Sequence, residues 1–179
     1  KIVPIINNNG EVIDYANEKR FQQLPQSEPS LRGNELKYVS EAIKSGWISS
    51  RGRYVNMFQK KFSSFVNNRY CLSTSSGTTA IQLAIATLKL NSNDEIIVPD
   101  YTFVSPINSI IHSGCKPVLA DIDKNNLCIS LNSIKKVLTK NTKAIIIVHL
   151  YGNTPDIDKI KNFFKEKKIK IIEDCAEAF

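Results

Sequence analysis

What the sequence does without narrows its function first. The four cysteines, Cys71, Cys115, Cys128 and Cys175, form no C-x-x-C pair. The two histidines, His112 and His149, stand 37 positions apart with no ligand cluster beside either. Such spacing argues against a zinc site, whose ligands come in close pairs. It fits reduced core thiols in a cytosolic protein instead. No long hydrophobic run is present. The longest, Ala144 to Val148, falls far short of the roughly 20 residues that span a bilayer. No basic-then-apolar signal segment opens the chain, which begins at Lys1 rather than Met. A G-x-G-x-x-G turn and a Walker A loop are both absent, which argues against a dehydrogenase and against a P-loop enzyme. No internal repeat is evident.

Acidic residues are scarce in the first half. Residues 1–90 carry 12 basic and 6 acidic side chains, against 12 and 11 in residues 91–179, and the net formal charge is +7. The basic residues are scattered and no aromatic-rich basic strand accompanies them. A solvated surface is therefore favoured over nucleic-acid binding, with attraction of an anionic substrate such as a nucleotide sugar as a third option. What is plentiful is Ile and Val in short runs, which favours buried strands. At 179 residues and 42% apolar, the chain can bury the core of one soluble domain of ordinary size.

Two regions separate along the chain. In residues 1–25, Ile2 to Ile6 and Val12 to Asp14 flank the turn signal Asn7-Asn8-Asn9-Gly10, which predicts a hairpin. This piece resembles the end of a CBS module, a small ligand-sensing domain; the alternative is an N-terminal extension of the next domain. Gln22 to Pro29 reads as a linker, and residues 26–179 as the second region. There, helices are predicted over Glu35–Lys44 (capped by Asn34 and ended by Gly46), Tyr54–Phe65, Gly77–Leu90, Phe103–His112, Leu131–Leu138 and Pro155–Phe164. Strands are predicted over Tyr70–Ser73, Glu95–Val98, Lys116–Asp121, Ala144–Val148 and Ile169–Ile172. Alternation of this kind predicts an α/β fold: a three-layer α/β/α arrangement around a mostly parallel sheet. Ligands of such sheets bind beyond the C-terminal strand ends. That rule selects Ser73–Thr79, Asp100–Ser105, His149–Gly152 and Glu173–Glu177.

Three of these segments carry residue types suited to one cofactor. Ser75-Ser76-Gly77-Thr78-Thr79-Ala80 joins a strand to a helix start. Its small residues, free N–H groups and hydroxyls suit a phosphate, although Ser and Thr also serve as ordinary caps. In Pro99-Asp100-Tyr101-Thr102-Phe103, an exposed aromatic at a strand end can stack on a flat heterocycle; a core role for Phe103 is the alternative. Ile172-Glu173-Asp174-Cys175-Ala176-Glu177 places acids beyond an apolar strand. A carboxylate there can hold a pyridine nitrogen protonated, a contact of about 1.5–3 kcal/mol. The alternative is a helix cap. A phosphate cup, a stacking face and a ring-nitrogen partner together describe a site for pyridoxal 5'-phosphate (PLP).

Residues 27–179 resemble the DegT/DnrJ/EryC1/StrS family of PLP-dependent sugar aminotransferases, of aspartate-aminotransferase fold. The resemblance is carried by Ser45-Gly46-Trp47-Ile48-Ser49-Ser50, Ser76-Gly77-Thr78-Thr79-Ala80, Tyr101-Thr102-Phe103-Val104-Ser105, Val148-His149-Leu150-Tyr151-Gly152 and Ile172-Glu173-Asp174-Cys175-Ala176-Glu177-Ala178. It implies the large PLP-binding domain of fold-type I, truncated. It also implies that Gly77, Thr78 and Thr79 hold the cofactor phosphate, that Phe103 stacks on the ring and that Asp174 pairs with the ring nitrogen. Glu177, where many members carry Gln, would stand near the ring hydroxyl. Members acting on a hexose at C4, such as perosamine synthases, often carry Glu there. Cys175 departs from the usual Ala.

The resemblance further implies amino transfer, with glutamate as donor, to a keto group of a nucleotide-linked sugar, a 4-keto-6-deoxyhexose in particular. It implies a homodimer in the cytoplasm and a role in bacterial surface-polysaccharide or O-antigen biosynthesis, with no nucleic-acid or membrane partner. No catalytic residue is expected within the chain. The Schiff-base lysine of the family is expected beyond Phe179, so the fragment itself is expected to be inactive. Lys165, Lys167, Lys168 and Lys170 read as solvated charges. Two alternatives stand beside this reading: a PLP-dependent sugar dehydratase of the same family, with His in place of the lysine, and a non-catalytic binding or regulatory remnant.

Overall fold

Consecutive isoleucines set the frame, because a strand sends alternate side chains to opposite faces. The structure, a computed structural model, describes residues 2–17, 29–68 and 70–178. They fall into two compact units, one within residues 1–69 and one within residues 70–179. The division expected at residue 25 lies among residues outside the description, as does the linker except for Pro29.

In the first unit, β1 (Ile2–Ile6) and β2 (Val12–Asn17) pair antiparallel, as the turn signal predicts. Gly10 closes the turn at φ +82°, with its N–H on the Asn7 carbonyl at 3.0 Å. Two amphipathic helices follow: α1 (Glu35–Ser45) and α2 (Arg53–Phe65). Gly46 ends α1 in the left-handed conformation at φ +71°, as expected of a C-terminal glycine. Asn34 differs from expectation. Its ψ of 12° leaves the extended conformation that capping needs, and its side chain makes no cap bond. The Glu35 carboxylate instead accepts from Gly33 N at 2.8 Å. Between the helices the Tyr54 phenol donates to Glu41, and its ring lies 5.2 Å from that of Tyr38.

In the second unit, α3 (Gly77–Thr87) leads into β3 (Glu95–Pro99), α4 (Val104–His112), β4 (Lys116–Ala120), α5 (Leu131–Val137), β5 (Thr142–Val148), a single 3₁₀ turn (Leu150–Gly152), α6 (Ile157–Phe164) and β6 (Lys170–Asp174). The four strands form a parallel sheet in the order β4-β3-β5-β6. Ile96, Val98, Ala144, Ile146 and Val148 face one side, where Ile81 and Ile85 of α3 and Ile110 of α4 cover them. Ile97, Ile145 and Ile147 face the other, against Ile134 of α5 and Ile160 and Phe164 of α6. Burying one such Ile contributes about 1.5–3 kcal/mol. Helices on both faces of a parallel sheet make the expected three layers.

The strand predicted over residues 70–73 is absent. Leu72 is exposed rather than layered into the sheet, and so short a segment cannot persist without a partner edge. β6 runs two residues further than predicted, so Asp174 is its last residue rather than the second beyond it. α6 starts at Ile157, capped by Asp156 rather than entered through Pro155. Among the described residues no helix is long and apolar enough to cross a membrane.

Candidate active site

Strand order decides where a ligand can sit. From β3 the chain crosses to β4 on one side, then returns to β5 on the other. Beyond the C-terminal ends of β3 and β5 the connections therefore diverge, and they leave a crevice. A cleft of about 290 Å³ opens there, lined by residues that include Gly77, Thr78, Phe103, Leu150, Asp174 and Glu177. Five of the six residues expected at the cofactor thus meet in one cavity.

The sixth, Thr79, is not among the lining residues. Its backbone N–H donates to Ser76 Oγ at 3.2 Å, while its hydroxyl accepts from Ser76 N at 3.1 Å and reaches the Ser76 carbonyl at 2.8 Å. This is a capping box. It fixes the first turn of α3 and commits both polar groups of Thr79. The N–H groups of Gly77 and Thr78 have no partner among the described residues. A Cβ built on Gly77 would meet no atom within 4 Å. The α3 start is thus an open pair of donors at the positive end of a helix.

Ser105 was missed at the level of single residues. It is buried at the start of α4 and donates to Thr78 Oγ1 at 2.8 Å, which leaves the Thr78 proton free to point into the cleft. Its place in the strand-end segment Asp100–Ser105 was the available signal. Phe103 precedes α4 and is 68% exposed. That exposure removes the core alternative and presents the ring to the cleft. Asp174 is half-buried; one carboxylate oxygen accepts from Ala176 N at 3.1 Å, and the other has no partner among the described residues.

Glu177 accepts from Tyr151 N at 2.7 Å. Tyr151 sits at φ +53°, a left-handed conformation that costs a bulky side chain about 1–2 kcal/mol. Its phenol bonds that of Tyr101, which with the nearby Glu177 charge pushes the Tyr151 hydroxyl above its ordinary pKa. Behind the cleft, on the opposite face of β6, Glu173 meets Lys161 Nζ at 2.9 Å. Buried His149 Nε2 lies 3.3 Å from the same carboxylate, outside hydrogen-bonding geometry. Burial and the flanking carboxylates of Glu173 and Asp174 push the Cys175 thiol up.

The model of the DegT/DnrJ/EryC1/StrS aminotransferase family matches residues 29–179. The chain belongs to this family. A similar curated relative is the GDP-perosamine synthase of Vibrio cholerae, 41% identical over 155 residues, covering 87% of this chain and 42% of the relative. Among solved structures, an aminotransferase from Psychrobacter cryohalolentis superposes with a TM-score of 0.79 at 32% identity, covering 87% of this chain and 40% of that one. The E. coli GDP-4-keto-6-deoxy-D-mannose-3-dehydratase with bound hydrated PLP gives 0.77 at 30%, covering 83% and 40%. The chain spans about two fifths of the length of the relatives it matches. The family is PLP-dependent, and the fold is that of its PLP-binding domain. The cleft suits that cofactor: two unpaired N–H groups and a hydroxyl for a phosphate, an open aromatic face for a ring, and an unpaired carboxylate oxygen for a protonated ring nitrogen.

Proposed function

We propose that the whole protein transfers an amino group from glutamate to the C4 keto group of a GDP-linked 6-deoxyhexose. The observation that carries this reading is the convergence of Gly77, Thr78, Phe103, Asp174 and Glu177 on one cleft. The GDP-perosamine relatives and Glu177 support the choice of sugar.

Gly77 N, Thr78 N and the Thr78 hydroxyl would hold the cofactor phosphate, with the α3 dipole behind them. Phe103 would cover one face of the ring and exclude water from it. Asp174, with Ala176 N fixing one oxygen, would keep a proton on the ring nitrogen through the other. When bound, pyridoxal phosphate supplies the electron sink for amino transfer. No lysine lines the cleft. The covalent anchor and proton carrier are proposed to come from outside residues 1–179, which leaves this stretch inactive by itself.

The test is the full-length protein with PLP, glutamate and GDP-4-keto-6-deoxymannose, with product mass as the readout. The wild type should form the amino sugar. Asp174→Ala should retain part of its PLP by absorbance and lose turnover by at least about 10²-fold, as removal of an electrostatic stabiliser does. Retained turnover in that variant would refute the site. The likeness to the dehydratase supports a second reading, loss of a sugar hydroxyl. A product lighter by one oxygen atom, its hydroxyl replaced by hydrogen while glutamate is oxidised to 2-oxoglutarate and ammonia, and with no nitrogen gained, would select it.

A further inference from the structure

Residues 70–179 carry 13 basic and 11 acidic side chains, so the second unit is close to neutral in sum. Topology separates the signs. Where helices join parallel strands, strand starts and helix C-termini share one end of the sheet. β4 and β6 begin with Lys116 and Lys170, and Lys143 is the second residue of β5. Lys135 and Lys136 stand in the last turn of α5. Lys89, Lys140, Lys165, Lys167 and Lys168 follow helices on the way into strands. Against these ten lysines the same end has three acids, Asp94, Glu95 and Glu166. The remaining eight acids and three lysines lie toward the cleft end. We propose that the lysine-rich end, opposite the cofactor cleft, docks on an anionic phospholipid surface.

These charges are uncompensated. None of the ten lysines forms an ion pair among the described residues, whereas Lys159 and Lys161 meet Asp156 at 2.6 Å and Glu173 at 2.9 Å. All but Lys143 are exposed. Phe163 of α6 shows how close they stand. Lys135 Nζ lies 5.1 Å and Lys167 Nζ 4.5 Å from the centre of its ring. Cation–π attraction thus holds two like charges from separate elements beside one ring. Helix dipoles account for Lys89, Lys135, Lys136 and Lys165, which sit at helix C-termini. They do not account for Lys116, Lys143 and Lys170 on strands, or for Lys140, Lys167 and Lys168 beyond the helix ends. An excess of one sign repels itself until an anionic partner neutralises it.

Composition selects the partner. Every basic residue of this unit is a lysine; the arginines all lie within residues 1–69. Lysine is a point charge on a flexible stem. It lacks the planar fork with which arginine grips single phosphates and base edges in nucleic acids. A diffuse array of such charges suits a surface of closely spaced, mobile phosphates, and clusters of about four to eight cations are typical of attraction to anionic lipids. The run Lys165-Glu166-Lys167-Lys168-Ile169-Lys170 supplies four by itself. Along the sequence these lysines read as scattered solvated charges, and no membrane partner is expected from them; the strand order brings them together. None of them lines the cofactor cleft, so docking and amino transfer would use different residues.

The test is co-sedimentation of the full-length protein with vesicles at physiological salt. The wild type should bind vesicles of phosphatidylcholine and phosphatidylglycerol in equal parts, should ignore phosphatidylcholine alone, and should be released by high salt. The triple variant Lys165→Gln/Lys167→Gln/Lys168→Gln should bind the mixed vesicles about 100-fold more weakly, since each cation at such a surface is worth about fivefold in affinity. Its melting temperature should be no lower than that of the wild type. The triple variant Lys37→Gln/Lys44→Gln/Lys60→Gln removes the same charge from the first unit and should bind as the wild type does. Absence of wild-type binding, an equal loss in both variants, or displacement from the vesicles by duplex RNA at equal phosphate concentration would overturn the proposal.

Discussion

At the scale of single residues, the division of labour between Thr78 and Thr79 is the sharpest feature of the site. Both stand at a helix start, and family resemblance assigns both to the phosphate. That Ser and Thr here can serve as helix caps was legible in the sequence, but which hydroxyl turns inward depends on the three-dimensional placement of α3. Phe103 and Asp174 were legible because each follows or ends an apolar strand. Ser105 and Tyr151 were legible only as members of the strand-end segments Asp100–Ser105 and His149–Gly152, since burial and positive φ leave no mark on composition. Gly77 offers a clean test. Its Cβ position is open and its φ is not left-handed, so Gly77→Ala should fold as well as the wild type or better. The added methyl would enter the space proposed for the phosphate. PLP titration by absorbance should show affinity reduced at least about tenfold, or 1.4 kcal/mol, with an unchanged melting temperature or a higher one.

At the scale of elements, Ile and Val runs placed β3 and β5 correctly, because a strand buried on both faces reads as a continuous apolar run. Residues 70–73 show the limit of that signal: Leu72 and Tyr70 suggest a strand only when a neighbouring edge exists, which local pattern cannot report. The start of α6 was likewise misread, because Asp156 rather than Pro155 sets it. Asp156 accepts from Lys159 N at 3.1 Å and pairs with Lys159 Nζ at 2.6 Å. Those contacts, the side chain first and the backbone N–H second, lower its pKa. Its folded value lies below its unfolded one, so its stabilisation is complete above the ordinary Asp pKa of about 4 and is lost as pH falls through the folded value. Asp156→Asn keeps a capping oxygen and removes the titration. Thermal melts should show the variant less sensitive to pH below about 4 than the wild type, and lower in melting temperature at neutral pH.

At the scale of the whole molecule, the order β4-β3-β5-β6 explains why segments about 25 to 50 residues apart in sequence converge. Each βα connection delivers its first residues to the same sheet end. A simple alternation of predicted elements is enough to propose that convergence, but the strand order itself comes from tertiary packing. The family relatives are more than twice as long as this chain, and no lysine lines the described cleft. Residues 1–179 alone, supplied with PLP and glutamate, should give no conversion of glutamate to 2-oxoglutarate by coupled assay. Measurable conversion would place the proton carrier among the residues already present.

The two neighbours at the end of β6 carry one more implication. Glu173 points to Lys161 and His149 behind the sheet, while Asp174 lines the cleft in front. A single residue inserted or deleted within β6 would exchange their faces, sending the acid of the cleft to the rear and a longer one to the front. A replacement at either position changes one face alone, but a change in length disturbs both at once, so the reading frame of this strand is locked as firmly as its composition.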